Sequence, residues 1–100
     1  MIKEKEAIFA LATPMGKSAI SVFRISGKNC HNTIKKISSQ KKWKKNESKI
    51  NFILDEKKQK IDQTITTFFN LPNTYTGENI VEISCHGGLA IIKKISEALK

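Results

Sequence analysis

The residue types able to do chemistry fall into a few short stretches, and Gly16-Lys17-Ser18 is the first of them. It has the ending of a phosphate-binding loop, in which backbone amides cradle phosphate and the lysine reaches it. That loop needs a glycine five residues before its second glycine, where this chain has Leu11, and it needs a helix after the serine. Ala19 to Ile25 instead alternates as a strand, so no nucleotide site is expected there. Cys30-His31 and Cys85-His86 look like halves of a metal site. Adjacent residues point to opposite faces of a strand and diverge by about 100° on a helix, so neither pair chelates as a unit. The same geometry argues against a Cys85/His86 nucleophile–base dyad. Each pair reads as a buried thiol beside an ordinary imidazole, with no metal site and no catalytic residue in this segment.

Arg24 and Glu82 are more informative. Arg24 aligns with Ile20 and Val22, and Glu82 with Ile80 and Ser84, each inside an otherwise apolar strand. A charge placed there is costly unless it is paired or meets a polar ligand. Arg24 is also the single arginine beside seventeen lysines, which suggests that the planar guanidinium fork matters at that position. Two readings stay open: a buried Arg24–Glu82 ion pair (or Arg24 in water on an edge strand), and a cleft whose two charges orient a polar heterocycle or carboxylate. His86-Gly87-Gly88 follows a strand and opens a helix, which suits either a ligand turn or a tight connection.

The elements that position these residues follow from the apolar pattern. Ala7 to Ala12 is a short strand stopped by Thr13-Pro14, and Ala19 to Ile25 is a second, ended by Ser26-Gly27. Asn29 is placed to cap a short helix with Cys30, Ile34 and Ile37 on its inward stripe. Ser38 to Glu47 is a lysine-rich loop. Ile50 to Leu54 and Ile61 to Phe69 form a hairpin across a charged turn at Asp55 to Lys60. Leu71 to Glu78 is a structured loop punctuated by Pro72 and Gly77. Ile80 to Cys85 is a further strand, and Gly87-Gly88 opens a final helix with Leu89, Ile92, Ile95 and Leu99 on one face. The order predicts an α+β domain with a mixed sheet and two flanking helices.

One hundred residues make one domain, able to bury roughly 65% of its unfolded surface. Composition is ordinary for a globular chain, at 39% hydrophobic and 27% charged. The apolar stretch from Ala7 to Ala12 is too short for a signal-peptide core, and no run approaches a membrane span, so a cytoplasmic location is expected. The two cysteines make no disulfide framework. Net charge is +9, and ten lysines lie between Lys35 and Lys60. Fifteen isoleucines and seven asparagines accompany them, a bias that suits an AT-rich genome. The lysine cluster fits either a solvated surface or a phosphate-attracting one, with Trp43 and Phe52 the only aromatics interleaved. The final helix is still periodic at Lys100, so residues 1–100 are expected to stop inside a longer protein.

Two segments carry a resemblance. Ala12-Thr13-Pro14-Met15-Gly16-Lys17-Ser18-Ala19-Ile20-Ser21-Val22-Phe23-Arg24-Ile25-Ser26-Gly27 resembles the opening of the tRNA modification GTPase family, called MnmE or TrmE. Pro72-Asn73-Thr74-Tyr75-Thr76-Gly77-Glu78-Asn79-Ile80-Val81-Glu82-Ile83-Ser84-Cys85-His86-Gly87-Gly88 resembles a second stretch of the same family, in the right order and separation. About a third of the chain is covered. The chain departs from the family where Pro14 to Ala19 replaces a usual Pro-Pro-Gly-Arg-Gly-Gly, and where Asn79 replaces a usual Asp.

The resemblance implies an N-terminal domain similar in fold to the folate-binding domain of glycine-cleavage T proteins. It implies a homodimer that binds 5-formyltetrahydrofolate, with Arg24 and Glu82 matching folate contacts of the family. A helical domain and a GTPase domain using GTP, Mg2+ and K+ would lie beyond Lys100. The whole would act with an FAD-dependent partner on C5 of the wobble uridine of tRNA, the folate carrying the one-carbon unit. Two other classes compete with this reading: a small basic RNA-binding module, and a folate-dependent aminomethyltransferase-like or iron–sulfur-assembly protein lacking the GTPase.

Overall fold

The computed structural model describes residues 8–12, 19–44, 46–70 and 79–100. Five strands and two helices follow one another as β1 (Ile8–Leu11), β2 (Ile20–Ser26), α1 (Cys30–Lys36), β3 (Ser48–Leu54), β4 (Lys60–Phe69), β5 (Ile80–His86) and α2 (Leu89–Leu99). The α+β class and the two helices are as the sequence predicts. The Gly16-Lys17-Ser18 stretch and the Leu71 to Glu78 loop lie outside the described residues.

The strands form one sheet in the order β1-β2-β5-β4-β3, and every pairing is antiparallel. A strand–helix–strand order suggests parallel neighbours, which is why a mixed sheet is the natural expectation. Here the chain leaves β2 through α1 to the far edge, returns as the β3–β4 hairpin, and inserts β5 between β4 and β2. β2 and β4 thus run the same way with β5 between them.

Period-two alternation divides the sheet into two faces. Phe23 and Ile25 of β2, Val81, Ile83 and Cys85 of β5, Phe68 of β4 and Ile53 of β3 point to one face. There they close a core with Cys30, Ile34 and Ile37 of α1 and Ile92, Ile95 and Leu99 of α2. Isoleucine and leucine side chains this deeply buried typically cost about 2–5 kcal/mol when cut back to alanine, so this layer carries the stability. The loop after α1 is tied down as well. Trp43 stacks on Phe68 with ring centroids 4.4 Å apart and donates Nε1–H to the Thr66 carbonyl at 3.1 Å.

Two details differ from the sequence expectation. Asn29 stands at the N-cap of α1, but its side chain makes no capping bond; its carbonyl accepts from the Thr33 amide and hydroxyl, both at 3.0 Å. Leu89 is exposed, because the buried stripe of α2 runs through Ile92, Ile95 and Leu99 with Ile91 and Ala98 beside it. At 3.6 residues per turn Leu89 lies about 120° around the helix from Ile95, off that stripe.

Candidate functional site

Among the described residues no helix packs on the opposite face of the sheet, and both awkward charges stand on it. Arg24 and Glu82 are direct cross-strand partners in the β2–β5 register. Arg24 donates to the same carboxylate oxygen of Glu82, Oε2, from Nε at 2.8 Å and from Nη2 at 2.7 Å. Oε1 takes no bond from Arg24, so that carboxylate keeps acceptor capacity. Side-chain exposure is 41% for Arg24 and 21% for Glu82. The pair lies between the two readings that the sequence left open: it is an ion pair, and it is open to solvent and to a ligand.

Its neighbours are arranged in rows across the strands. Ala10, Arg24, Glu82, Thr67 and Ser48 form one row, whose outer end is closed by a 2.6 Å bond between the Ser48 and Thr67 hydroxyls. The adjacent row is Val22, Ser84, Ile65 and Ile50. Ile20, Ile50 and Ile65 are 60%, 64% and 52% exposed, unusual values for three isoleucines on one face. With Gln63, Ser84 and His86 they bound a shallow recess of about 260 Å³. A two-charge polar row therefore adjoins an apolar depression, an arrangement suited to a ligand with a polar heterocycle and a flat apolar body.

The recess ends at a second pair. His86 Nδ1–H donates to Asp62 Oδ1 at 2.8 Å, and the His86 backbone amide donates to Asp62 Oδ2 at 2.8 Å. Asp62 so fixes both the imidazole and the chain entering Gly87-Gly88. Sequence reasoning missed Asp62; its only signal was a carboxylate inside an apolar strand. Gly88 has φ −77° and open space where a Cβ would stand, so no steric demand makes glycine necessary there.

The Cys-His pairs do not converge. Cys30 Sγ donates to the Asn79 carbonyl at 3.2 Å, and Cys85 Sγ lies 3.5 Å from the Ser21 carbonyl. Burial, with the charge of Asp62 adding to it, pushes the Cys85 thiol up to about 11. His31 packs at a tilt of 41° against Phe68 and bonds the Phe69 carbonyl through Nε2 at 3.1 Å; burial holds its pKa below the ordinary value. Among the described residues no cluster of three His, Cys, Asp or Glu side chains forms a metal site.

This geometry defines a class: a two-layer α+β domain with helices on one sheet face and a charged, partly apolar site on the other. The family described as GTP-binding protein TrmE N-terminus matches residues 7–100, and the chain belongs to that family. It is similar to the tRNA modification GTPase MnmE of Endomicrobium trichonymphae, with 43% identity over 96 residues, 96% of this chain and 21% of that protein. The proteins of that name from Anaplasma marginale (36% over 95 residues; 95% of this chain, 21% of that protein) and from the Wolbachia of Brugia malayi (37% over 99 residues; 99% and 22%) are similarly related. The chain thus spans about a fifth of the length of these relatives. Among the described residues no helix is long and apolar enough to cross a membrane.

Proposed function

We propose that this chain is the folate-binding and dimerisation portion of a cytoplasmic tRNA-modifying GTPase. Family membership supports the general role, and the observation that carries the site is the Arg24–Glu82 pair on the uncovered face. Its residues fit a reduced folate by donor chemistry. Glu82 can accept from the amino and ring N–H groups of a pterin through the oxygen that Arg24 leaves unused, and Arg24 can donate to a carbonyl or carboxylate oxygen. The isoleucine recess beside them would take an apolar ring. A bound 5-formyltetrahydrofolate would supply the one-carbon unit. This chain's part is to hold and orient that carrier.

The exposed Ile20, Ile50 and Ile65 support self-association, since a second copy would remove from water a patch that monomers rarely display. In the full-length protein the remaining parts would hydrolyse GTP with Mg2+ and K+ and, with an FAD-dependent partner, modify C5 of the wobble uridine of tRNA. Titration of the 100-residue chain with 5-formyltetrahydrofolate and with GTP tests the reading. Binding of the folate without binding of GTP is expected; the reverse pattern would overturn the assignment.

A further inference from the structure

Between Lys35 and Lys60 the chain has ten lysines and only three acids, Glu47, Asp55 and Glu56. The fold brings three of these lysines, Lys36, Lys57 and Lys58, to one end of the helix-covered side. The Leu54 amide donates to the Ile37 carbonyl at 2.7 Å, which sets the β3–β4 turn against the C-terminus of α1. Lys41 and Lys58 donate Nζ–H to the Lys35 and Lys36 carbonyls at 2.8 and 3.4 Å, ending that helix in ammonium groups. The last turns of α2 close the other side. The result is a groove of about 860 Å³ whose rim carries Lys36, Lys57, Lys58 and Lys94 over a floor of Ile37 and Ile61.

Counting Lys100, five lysines line the groove against three acids, and among the described residues none of the five is ion-paired to a carboxylate. Among the described residues Lys49 is the one lysine within ion-pair reach of a carboxylate, Glu47 at 3.7 Å. The Asp55 carboxylate is occupied by the turn itself, accepting from the amides of Lys57 and Gln59, both at 2.9 Å. Glu56 and Glu97 are the groove's other acids. Lys58 also sits at φ 64°, a left-handed position where glycine is less strained, so a cation is kept there at a conformational cost.

We infer that this groove is a docking surface for the phosphate backbone of RNA, an inference that rests on the tRNA-modifying role proposed above. Several ammonium groups on three separate elements suit a repeating polyanion better than one phosphate, for which backbone amides would converge on a point. Lysine rather than arginine at every basic position of the groove supplies point charges without a bidentate fork, so recognition is electrostatic and independent of base sequence. The concave shape suits a nucleic-acid strand rather than a flat lipid surface. The groove lies on the helix side of the sheet, away from Arg24 and Glu82, so RNA and folate would not compete.

The test is fluorescence anisotropy of a labelled unmodified tRNA against the 100-residue chain from 50 to 200 mM salt. A groove variant (Lys36→Gln, Lys57→Gln, Lys58→Gly, Lys94→Gln) is compared with a control of equal net charge (Lys28→Gln, Lys49→Gln, Lys60→Gln, Lys93→Gln). Melting curves and folate titration accompany both. The groove variant should lose at least tenfold in affinity at 50 mM salt, and its log–log salt slope should flatten by about three to four, near 0.9 per lost contact. The control should stay within about threefold of the parent. Equal losses in the two variants would reduce binding to net charge and overturn the inference, as would parent binding that is insensitive to salt. Polyglutamate of matched charge that binds the groove as tightly as tRNA would reassign the surface to an acidic protein. Folate binding retained in the groove variant while RNA is lost supports a separate surface. If RNA binding to the parent fails while folate still binds, this inference alone falls; if folate fails in the parent, the reading of the Arg24–Glu82 site falls instead.

Discussion

Replacing Arg24 and Glu82 one at a time separates a ligand site from a structural ion pair. A fully buried pair broken on one side typically costs about 3–5 kcal/mol, because it strands a charge without water. The pair in this sheet is not of that kind. Arg24 is 41% exposed, and both of its bonds to Glu82 end on one oxygen of a carboxylate that solvent also reaches. Exposed pairs contribute about 0.2–1 kcal/mol, and some packing of the arginine stem is lost too. Arg24→Ala should therefore cost about 1–2 kcal/mol. For a chain of this size that lowers Tm by about 4–8 °C per kcal/mol. The double variant Arg24→Met with Glu82→Leu should recover most of the loss.

Ligand affinity should respond differently. A hydrogen bond to a charged group contributes about 1.5–3 kcal/mol, so Arg24→Ala and Glu82→Gln should each weaken 5-formyltetrahydrofolate by roughly tenfold to a hundredfold. The double variant should be as well folded as the parent and yet bind worse than either single variant. Calorimetric titration beside thermal melting reads both quantities on the same samples. Unchanged folate affinity in both single variants, with a melting loss beyond that expected for a half-exposed pair, would refute the ligand role and leave a structural pair.

Gly27 has φ 143° and is buried where β2 turns toward α1, so Gly27→Ala should cost about 1–3 kcal/mol in denaturant unfolding. Lys58→Gly removes left-handed strain in the β3–β4 turn and should gain about 0.5–1 kcal/mol by the same measurement, part of the relief being returned as unfolded-state entropy. Both thiols are buried, and Cys85 at about 11 is ionised in roughly one molecule in a thousand at pH 8. Neither cysteine should label with iodoacetamide at pH 8 until denaturant is added; fast labelling of the native chain would contradict the packing. His31 has its pKa lowered, so below its ordinary value of 6.5 the unfolded chain takes up a proton that the folded chain does not. Its contribution is therefore present above pH 6.5 and is lost as pH falls toward the folded pKa; denaturant midpoints at pH 7.5 and 5 should show that loss, and His31→Gln should lessen it.

Strands β2 and β5 were legible because alternation and in-strand charges coincide in them, and Arg24 and Glu82 stood out for the same reason. Their pairing stood only as one of two open readings, and the register that makes them direct partners was not legible. Register depends on the connections and on which strand β5 joins, and local pattern says nothing about an insertion between two distant strands. The alternation in β3 and β4 marks two faces without saying which one the helices cover. Ile50 and Ile65 therefore looked like Ile53, although the first two face solvent and the third lies in the core. Asp62 and His86 are 24 positions apart, and nothing local in either stretch points to the other.

The proposed dimer and the proposed ligand also bear on each other through the uncovered face. As it stands the Arg24–Glu82 pair is screened by water and contributes little. Laying a second apolar sheet over Ile20, Ile50 and Ile65 would lower the local dielectric around the pair and strengthen its attraction. The same covering would strip water from the carboxylate oxygen that Arg24 does not reach, and an unpaired acceptor in that setting is costly. A ligand that donates hydrogen bonds to that oxygen removes the cost. Where the two events share this face, the ligand favours association and association favours the ligand by the same factor, as linkage requires. A half-open charged pair beside three exposed isoleucines is stable enough alone, and it becomes strongly favourable only when its remaining polar atom and its apolar surroundings are covered together.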